Sequence, residues 1–165
     1  MTEITFKPIG TIRTPHLSRE GMPIQPLSAT GIKAKVELNP EYVEGLMDLE
    51  SFSHVILLYH LHESNGYDLQ VKPFMDDVIH GLFATRAPRR PNAIGMSTVR
   101  LVGIEDNILH VEDVDILDGT PLLDIKPFFS KFDNRPDAVS GWLDETWKEK
   151  NYKIKSDRRF LEKKK

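Results

Sequence analysis

The 165-residue chain contains no cysteine, which removes disulfides, thiolate zinc sites, iron–sulfur clusters and a cysteine nucleophile in one step. It has no apolar run of about 18 residues and no basic-then-apolar leader, so neither a spanning helix nor a cleaved signal is expected, and a soluble, cytoplasmic protein is. Its ten glycines include no two that are two residues apart. The glycine fingerprint of dinucleotide-binding Rossmann folds, related adenosylmethionine-binding loops and the P-loop are therefore excluded. The GxSxG and HExxH motifs are absent as well, leaving common serine hydrolases and zinc proteases without support. What remains is a chain of 39% apolar and 28% charged residues, proportions and length that suit one globular domain.

The formal charge of −3 conceals a division. From Lys148 onward nine Lys or Arg face three acidic residues, a net +6, whereas the first 147 residues carry 13 basic and 22 acidic side chains, a net −9. An acidic body with a basic tail suits a polyanionic partner, and it also suits a solvated terminal segment.

Strand patterns dominate, over Ile4 to Arg13, Thr30 to Leu38, His54 to His62, Ile94 to Ile104 and Ile108 to Leu117. The polar Glu105-Asp106-Asn107 between the last two predicts a hairpin. Several short strands at this spacing predict a mainly β domain, either barrel or sandwich. A short helix is expected after Asn39-Pro40, and a C-terminal helix over Pro136 to Lys150 with Val139, Trp142, Leu143, Thr146 and Trp147 on one face. The expected division is a barrel domain over 1–136 followed by a C-terminal helix and basic tail over 137–165.

Three segments carry candidate chemistry. His60 and His62 share a strand face if the period of two holds, and such a pair can bind a metal with His54, Glu50 or Glu63 as a third ligand, although no known spacing supports one. In Phe83-Ala84-Thr85-Arg86-Ala87-Pro88-Arg89-Arg90-Pro91-Asn92, two prolines stiffen a loop with three arginines, whose forks suit phosphate or carboxylate. The same arginines would equally serve an exposed loop that offsets Asp76 and Asp77. Leu117-Asp118-Gly119-Thr120-Pro121 reads as an ordinary turn, or as a ligand site where glycine admits close backbone approach.

Taken in order, these segments resemble the TsaA-like (TrmO) family of S-adenosylmethionine-dependent tRNA adenosine N6-methyltransferases. The resemblance covers about residues 5 to 135. It rests on Ile9-Gly10-Thr11-Ile12-Arg13-Thr14-Pro15, on Pro23-Ile24-Gln25, on Leu49-Glu50-Ser51-Phe52-Ser53-His54, on Phe83 through Ser97, and on Leu117 through Phe128. It implies a compact, non-Rossmann β-barrel with short helices, working as a homodimer with its cofactor site near the subunit contact. The implied substrate is the adenosine at position 37 of tRNA, usually carrying an N6-threonylcarbamoyl group.

Carried over by residue, the resemblance implies S-adenosylmethionine contacts from Pro23, Ile24, Gln25, His62, Glu63, Arg86, Thr98, Asp118, Gly119, Thr120 and Pro121. Ile24 stands where the family usually has arginine, and Glu63 where it has glutamine. Ala87, Arg89 and Ala93 replace the commoner serine, histidine and proline. RNA contacts are expected from Arg86, Arg89, Arg90, Lys126, Lys148 and Lys150, and no metal is expected. Asp118 and His62 are the candidate proton acceptors, with Arg86 or Arg90 holding a carboxylate or phosphate. The rival readings are a noncatalytic module that binds S-adenosylmethionine or RNA and, more weakly, a metal hydrolase built on the two histidines.

Overall fold

Alternation of apolar and polar residues determines which face of each strand is buried. In β2 (Lys33–Leu38), Ala34, Val36 and Leu38 turn inward while the two lysines and Glu37 turn out. β1 (Gly10–Arg13), β3 (His54–His60), β6 (Ile94–Glu105), β7 (Ile108–Glu112) and β8 (Thr120–Pro127) follow the same logic. The six close a barrel in the order β1-β2-β7-β6-β3-β8, with every neighbouring pair antiparallel. Its interior is filled by Ile12, Val36, Val55, Leu57, Val99, Leu109 and Leu122, all essentially buried. At roughly 1.5–3 kcal/mol for each large apolar side chain, these residues dominate the favourable side of folding. The computed structural model describes residues 2–24, 26–149, 155–157 and 160, and the backbone alone at 26, 27, 148 and 149. No helix among them is long and apolar enough to cross a membrane.

The expected hairpin forms between β6 and β7, with Asp106 at φ 52° in its turn. Other boundaries differ for local reasons. The first strand begins at Gly10 rather than Ile4, because Pro8 has no N–H to give a ladder and Ile4 and Phe6 stay exposed. The fifth expected strand stops at Glu112, where Asp113 takes φ 66° and its carboxylate accepts the Gly31 N–H at 2.7 Å. β8 is a sixth barrel strand, beginning at Thr120 inside the segment expected to be a turn. Prolines at its second and last positions weaken its strand signal, yet it pairs with both β1 and β3 and closes the barrel.

The helix expected after Asn39 is a run of 3₁₀ turns over Pro40–Leu46, and the Asn39 side chain bonds the Pro8 carbonyl instead of capping it. The C-terminal helix α2 (Trp142–Glu149) starts six residues late, after Gly141 at φ 57°, while a single helical turn, α1 (Ser130–Asp133), precedes it. Lys150, the expected end of α2, lies outside the described residues. Beside the barrel, β4 (Gln70–Val71) and β5 (His80–Gly81) form a small ribbon whose core joins Val71, Leu82 and Ala87 with Phe160.

Candidate functional site

At the end of the barrel where β3 finishes and β6 and β8 begin, the inward positions change from apolar to polar. Tyr59 and Ser97 both face in, 7% and 2% exposed, and the Tyr59 hydroxyl lies 3.0 Å from Ser97 Oγ. Ser97 in turn donates to Asp115 Oδ1 at 2.6 Å. One proton order satisfies this chain: Tyr59 donates to Ser97, and Ser97 to the carboxylate. Tyr59 pairs with Gly95 across the ladder. A Cβ at Gly95 would fall inside contact distance of the Tyr59 ring, so only glycine leaves the ring room.

Beyond β7, Val114 and Ile116 point into the core, while Asp115 and Leu117 alternate into a cleft of about 930 Å³. Burial raises the Asp115 carboxyl from 3.8 to about 6, against the Ser97 hydrogen bond, its own backbone N–H and the charges of Arg86 and His16, which pull it down. Burial, reinforced by the negative charge of Asp115, pushes the Tyr59 hydroxyl far upward in spite of Ser97 and Arg86.

The remaining walls come from four segments. After β3 the chain reverses, with the His62 N–H bonding the His60 carbonyl at 2.8 Å. The strand therefore ends at His60, and the shared face expected of His60 and His62 does not form; His60 is exposed and His62 turns into the cleft. Thr120 donates its hydroxyl proton to the Leu117 carbonyl at 2.7 Å, and its oxygen lies 3.4 Å from His62 Nδ1.

The arginine loop supplies Arg86 and Arg90 to the cleft. Arg90 Nη1 donates to the Thr85 and Ala87 carbonyls at 3.0 and 3.3 Å, which makes it a clamp on its own loop. Arg89 is not in the lining and pairs with Asp68 at 2.8 Å. Asp76 and Asp77 take His80 and Lys72 as partners, so the charge balance expected within this loop is provided by Asp68 alone among these three acids. Ala87 is buried against Val71 and Leu82, an apolar contact that a serine would not complete.

From the early loop come Arg19, Pro23 and Ile24, with Arg19 3.5 Å from Glu63. The C-terminal segment supplies the last wall. Trp142 stacks on His80 at 4.2 Å and donates Nε1–H to the Ala84 carbonyl at 2.9 Å. Ser156 exchanges backbone hydrogen bonds with Gly21 and Met22, and Lys155 bridges to Pro23.

Of the expected cofactor residues, Pro23, Ile24, His62, Glu63, Arg86 and Thr120 therefore meet in one cleft. Thr98 lies between inward Ser97 and Val99, on the outer face of the barrel. Asp118 turns its carboxylate to the Thr14 N–H at 3.0 Å, and Gly119 at φ 73° bonds the Ile12 carbonyl, so both shape the turn that presents Thr120. Pro121 pairs with Thr11 inside the ladder. Lys126 is exposed and pairs with Asp124 at 2.8 Å. Gln25, Lys150 and the Lys148 side chain lie outside the described residues. Among the described residues no three His, Asp or Glu side chains gather into a metal-binding group. Sequence reasoning missed Tyr59, Gly95, Ser97 and Asp115; the one available signal was a carboxylate inside the apolar run Val114-Asp115-Ile116-Leu117.

A closed antiparallel barrel whose polar end opens into a cleft of about 930 Å³ belongs with the ligand-binding barrels and not with the doubly wound sheets. The chain belongs to the family of the tRNA-methyltransferase O N-terminal domain, whose model matches residues 11–134. It is 50% identical over 158 residues to a probable S-adenosyl-L-methionine-binding protein of Pyrococcus abyssi, covering 96% of this chain and 85% of that one. It is 33% identical to the human tRNA (adenine(37)-N6)-methyltransferase over 84% of this chain and 33% of that one. The crystal structure of TrmO from Pseudomonas aeruginosa superimposes with a TM-score of 0.73 at 40% identity, covering 86% of this chain. This chain spans 63% of that structure's length.

Proposed function

We propose that the protein transfers a methyl group from S-adenosylmethionine to N6 of the adenosine at position 37 of tRNA, with the N6-threonylcarbamoyl form as its substrate. The observation that carries this reading is the convergence of Pro23, Ile24, His62, Glu63, Arg86 and Thr120 on one cleft. The cleft also fits the cofactor chemically. Arg86 suits a carboxylate, Glu63 suits an ammonium or sulfonium, and Phe74, Phe83 and Leu61 offer apolar walls to a flat base.

When bound, S-adenosylmethionine supplies an activated methyl group whose sulfonium leaves as a neutral thioether. The protein's main contribution is then orientation, worth roughly 7–11 kcal/mol when reacting atoms are held in line. Arg19 and Glu63 tie the early loop to the post-β3 turn, and Ser64 Oγ donates to the Pro88 carbonyl at 3.0 Å, so three walls are mutually braced. Arg86 holds an anionic group of the ligand, and the His62 ring lines the same cleft. Asp118, Gly119 and Pro121 act by fixing the turn. Arg89, Arg90, Lys126, Lys148 and Lys150 are the cations proposed to contact RNA phosphates, and a homodimer in the cytoplasm completes the reading.

Trp142, Ser156 and Phe160, all beyond the expected boundary at 136/137, line the cleft together with barrel residues. For that reason the basic tail is best tested by substitution and not by removal. Changing Arg158, Arg159, Lys163, Lys164 and Lys165 to glutamine should weaken tRNA affinity and flatten its salt dependence. An unchanged salt slope would remove the tail from the RNA surface. Tritium transfer from S-adenosylmethionine into tRNA lacking the methyl group, followed by nucleoside mass spectrometry, tests the activity and the threonylcarbamoyl requirement. Cofactor binding without transfer would favour a binding module, the description carried by the Pyrococcus relative.

A further inference from the structure

We infer that Asp115, oriented by Ser97 and Tyr59, is the group that takes the proton from the acceptor nitrogen during methyl transfer. This inference rests on the proposed function and names a residue that the family resemblance does not supply. Three observations carry it. Asp115 lines the cleft, whereas Asp118 is outside its lining and accepts the Thr14 N–H in a turn. Ser97, itself 2% exposed, donates to only one of the two carboxylate oxygens, leaving acceptor capacity directed elsewhere. The polar chain from Tyr59 through Ser97 occupies inward barrel positions where apolar residues would pack at lower cost, which marks a site kept for chemistry.

An exocyclic adenine nitrogen is a weak nucleophile until its N–H bond is polarised, because its lone pair is delocalised into the ring. Asp115 removes that obstacle. The N–H bonding pair stays on nitrogen as the proton passes to a carboxylate oxygen, the nitrogen lone pair forms the new N–C bond, and the S–C pair departs with sulfur. The products are the N-methylated base, the neutral thioether and protonated Asp115, which returns its proton to solvent through the open cleft. A base titrating near 6 is ionised at neutral pH and not so weak as to be ineffective. The groups facing it are Tyr59 on β3, Ser97 on β6, Arg86 on the arginine loop and His16 after β1. Of these, Ser97 can be changed without altering the net charge or the arginine loop.

Two measurements test the assignment, the first of them without turnover. Carbon-detected NMR titration of the aspartate carboxyls in the free protein should give one resonance that titrates near 6 and disappears in Asp115→Asn. Ser97→Ala removes a hydrogen bond that favours the carboxylate, so that titration should move to higher pH. In transfer assays the acid limb of kcat/KM should follow the same group and shift upward with Ser97→Ala. Asp115→Asn should lower kcat at least 100-fold while calorimetric affinity for S-adenosylmethionine changes less than threefold. An Asp115→Asn enzyme within threefold of wild-type kcat overturns the inference. So does a large loss of cofactor affinity, which would make Asp115 a cofactor ligand. If wild type binds the cofactor but methylates no tRNA, the proposed function fails instead, and the carboxyl titration still reports whether Asp115 is poised.

Discussion

Replacing Asp115 with asparagine should make the protein more stable at neutral pH, although it removes a charged group held by a hydrogen bond. The folded protein keeps the Asp115 proton up to about pH 6, whereas the unfolded chain releases it near 3.8. Between those values the folded state binds more protons, so stability falls as pH rises and remains lower above pH 6. The gap corresponds to about 3 kcal/mol at 1.36 kcal/mol per decade. Because the carboxylate opens onto the cleft and keeps some solvent, about 2 kcal/mol is the expected gain. Asparagine has the same shape, needs no ionic solvation and still accepts from Ser97. Urea unfolding of wild type and Asp115→Asn at pH 7.5 and pH 4.0 isolates the effect. The variant should gain about 2 kcal/mol at pH 7.5, or roughly 4–8 °C in Tm, and almost nothing at pH 4.0. Equal or lower stability at pH 7.5 would refute the claim that burial of the carboxylate is costly.

Two further substitutions probe the supports of the cleft. Gly95→Ala should destabilise by about 2–3 kcal/mol, because its Cβ and the Tyr59 ring cannot share the same space; a thermal melt lowered by less than about 1 °C would contradict this. Arg90→Ala should cost about 1–2 kcal/mol and speed amide exchange in residues 85–87, since its guanidinium bonds the Thr85 and Ala87 carbonyls; unchanged exchange would mean that the loop holds itself.

The barrel was legible where burial on one face imposes a period of two. β2, β3, β6 and β7 were each located, and the β6–β7 hairpin followed from its polar turn. What escaped was set by long-range pairing. β8 contains Pro121 and Pro127 and begins after Asp118-Gly119, so local propensity argues for a turn, and only its ladders to β1 and β3 make it a strand. The cleft was legible in part for the same reason. Its loop residues belong to long motifs, whereas Tyr59 and Ser97 occupy inward positions of ordinary alternating strands. Nothing local shows that their hydroxyls meet 38 residues apart in sequence. Trp142 sat on the expected apolar helix face, but its donation to the Ala84 carbonyl depends on where α2 docks.

Charge is divided along the sequence. The body carries the negative excess and the last 18 residues the positive one. Trp142 fixes one end of α2 beside the arginine loop, and Lys155 is bridged to Pro23 in the cleft lining. Among the described residues of the basic stretch, Ser156, Asp157 and Phe160 line the cleft. Within the cleft the pattern repeats at short range, with Arg19, Arg86 and Arg90 around Glu63 and Asp115. On the proposed reading, one polymer must bring both a phosphate chain and a base to this point. Outer cations would hold the phosphates through interactions that salt screens, while Asp115, set back beside Ser97, meets a base through contacts that salt screens far less. Affinity for tRNA should then depend steeply on ionic strength, and the acid limb of turnover at saturating tRNA hardly at all.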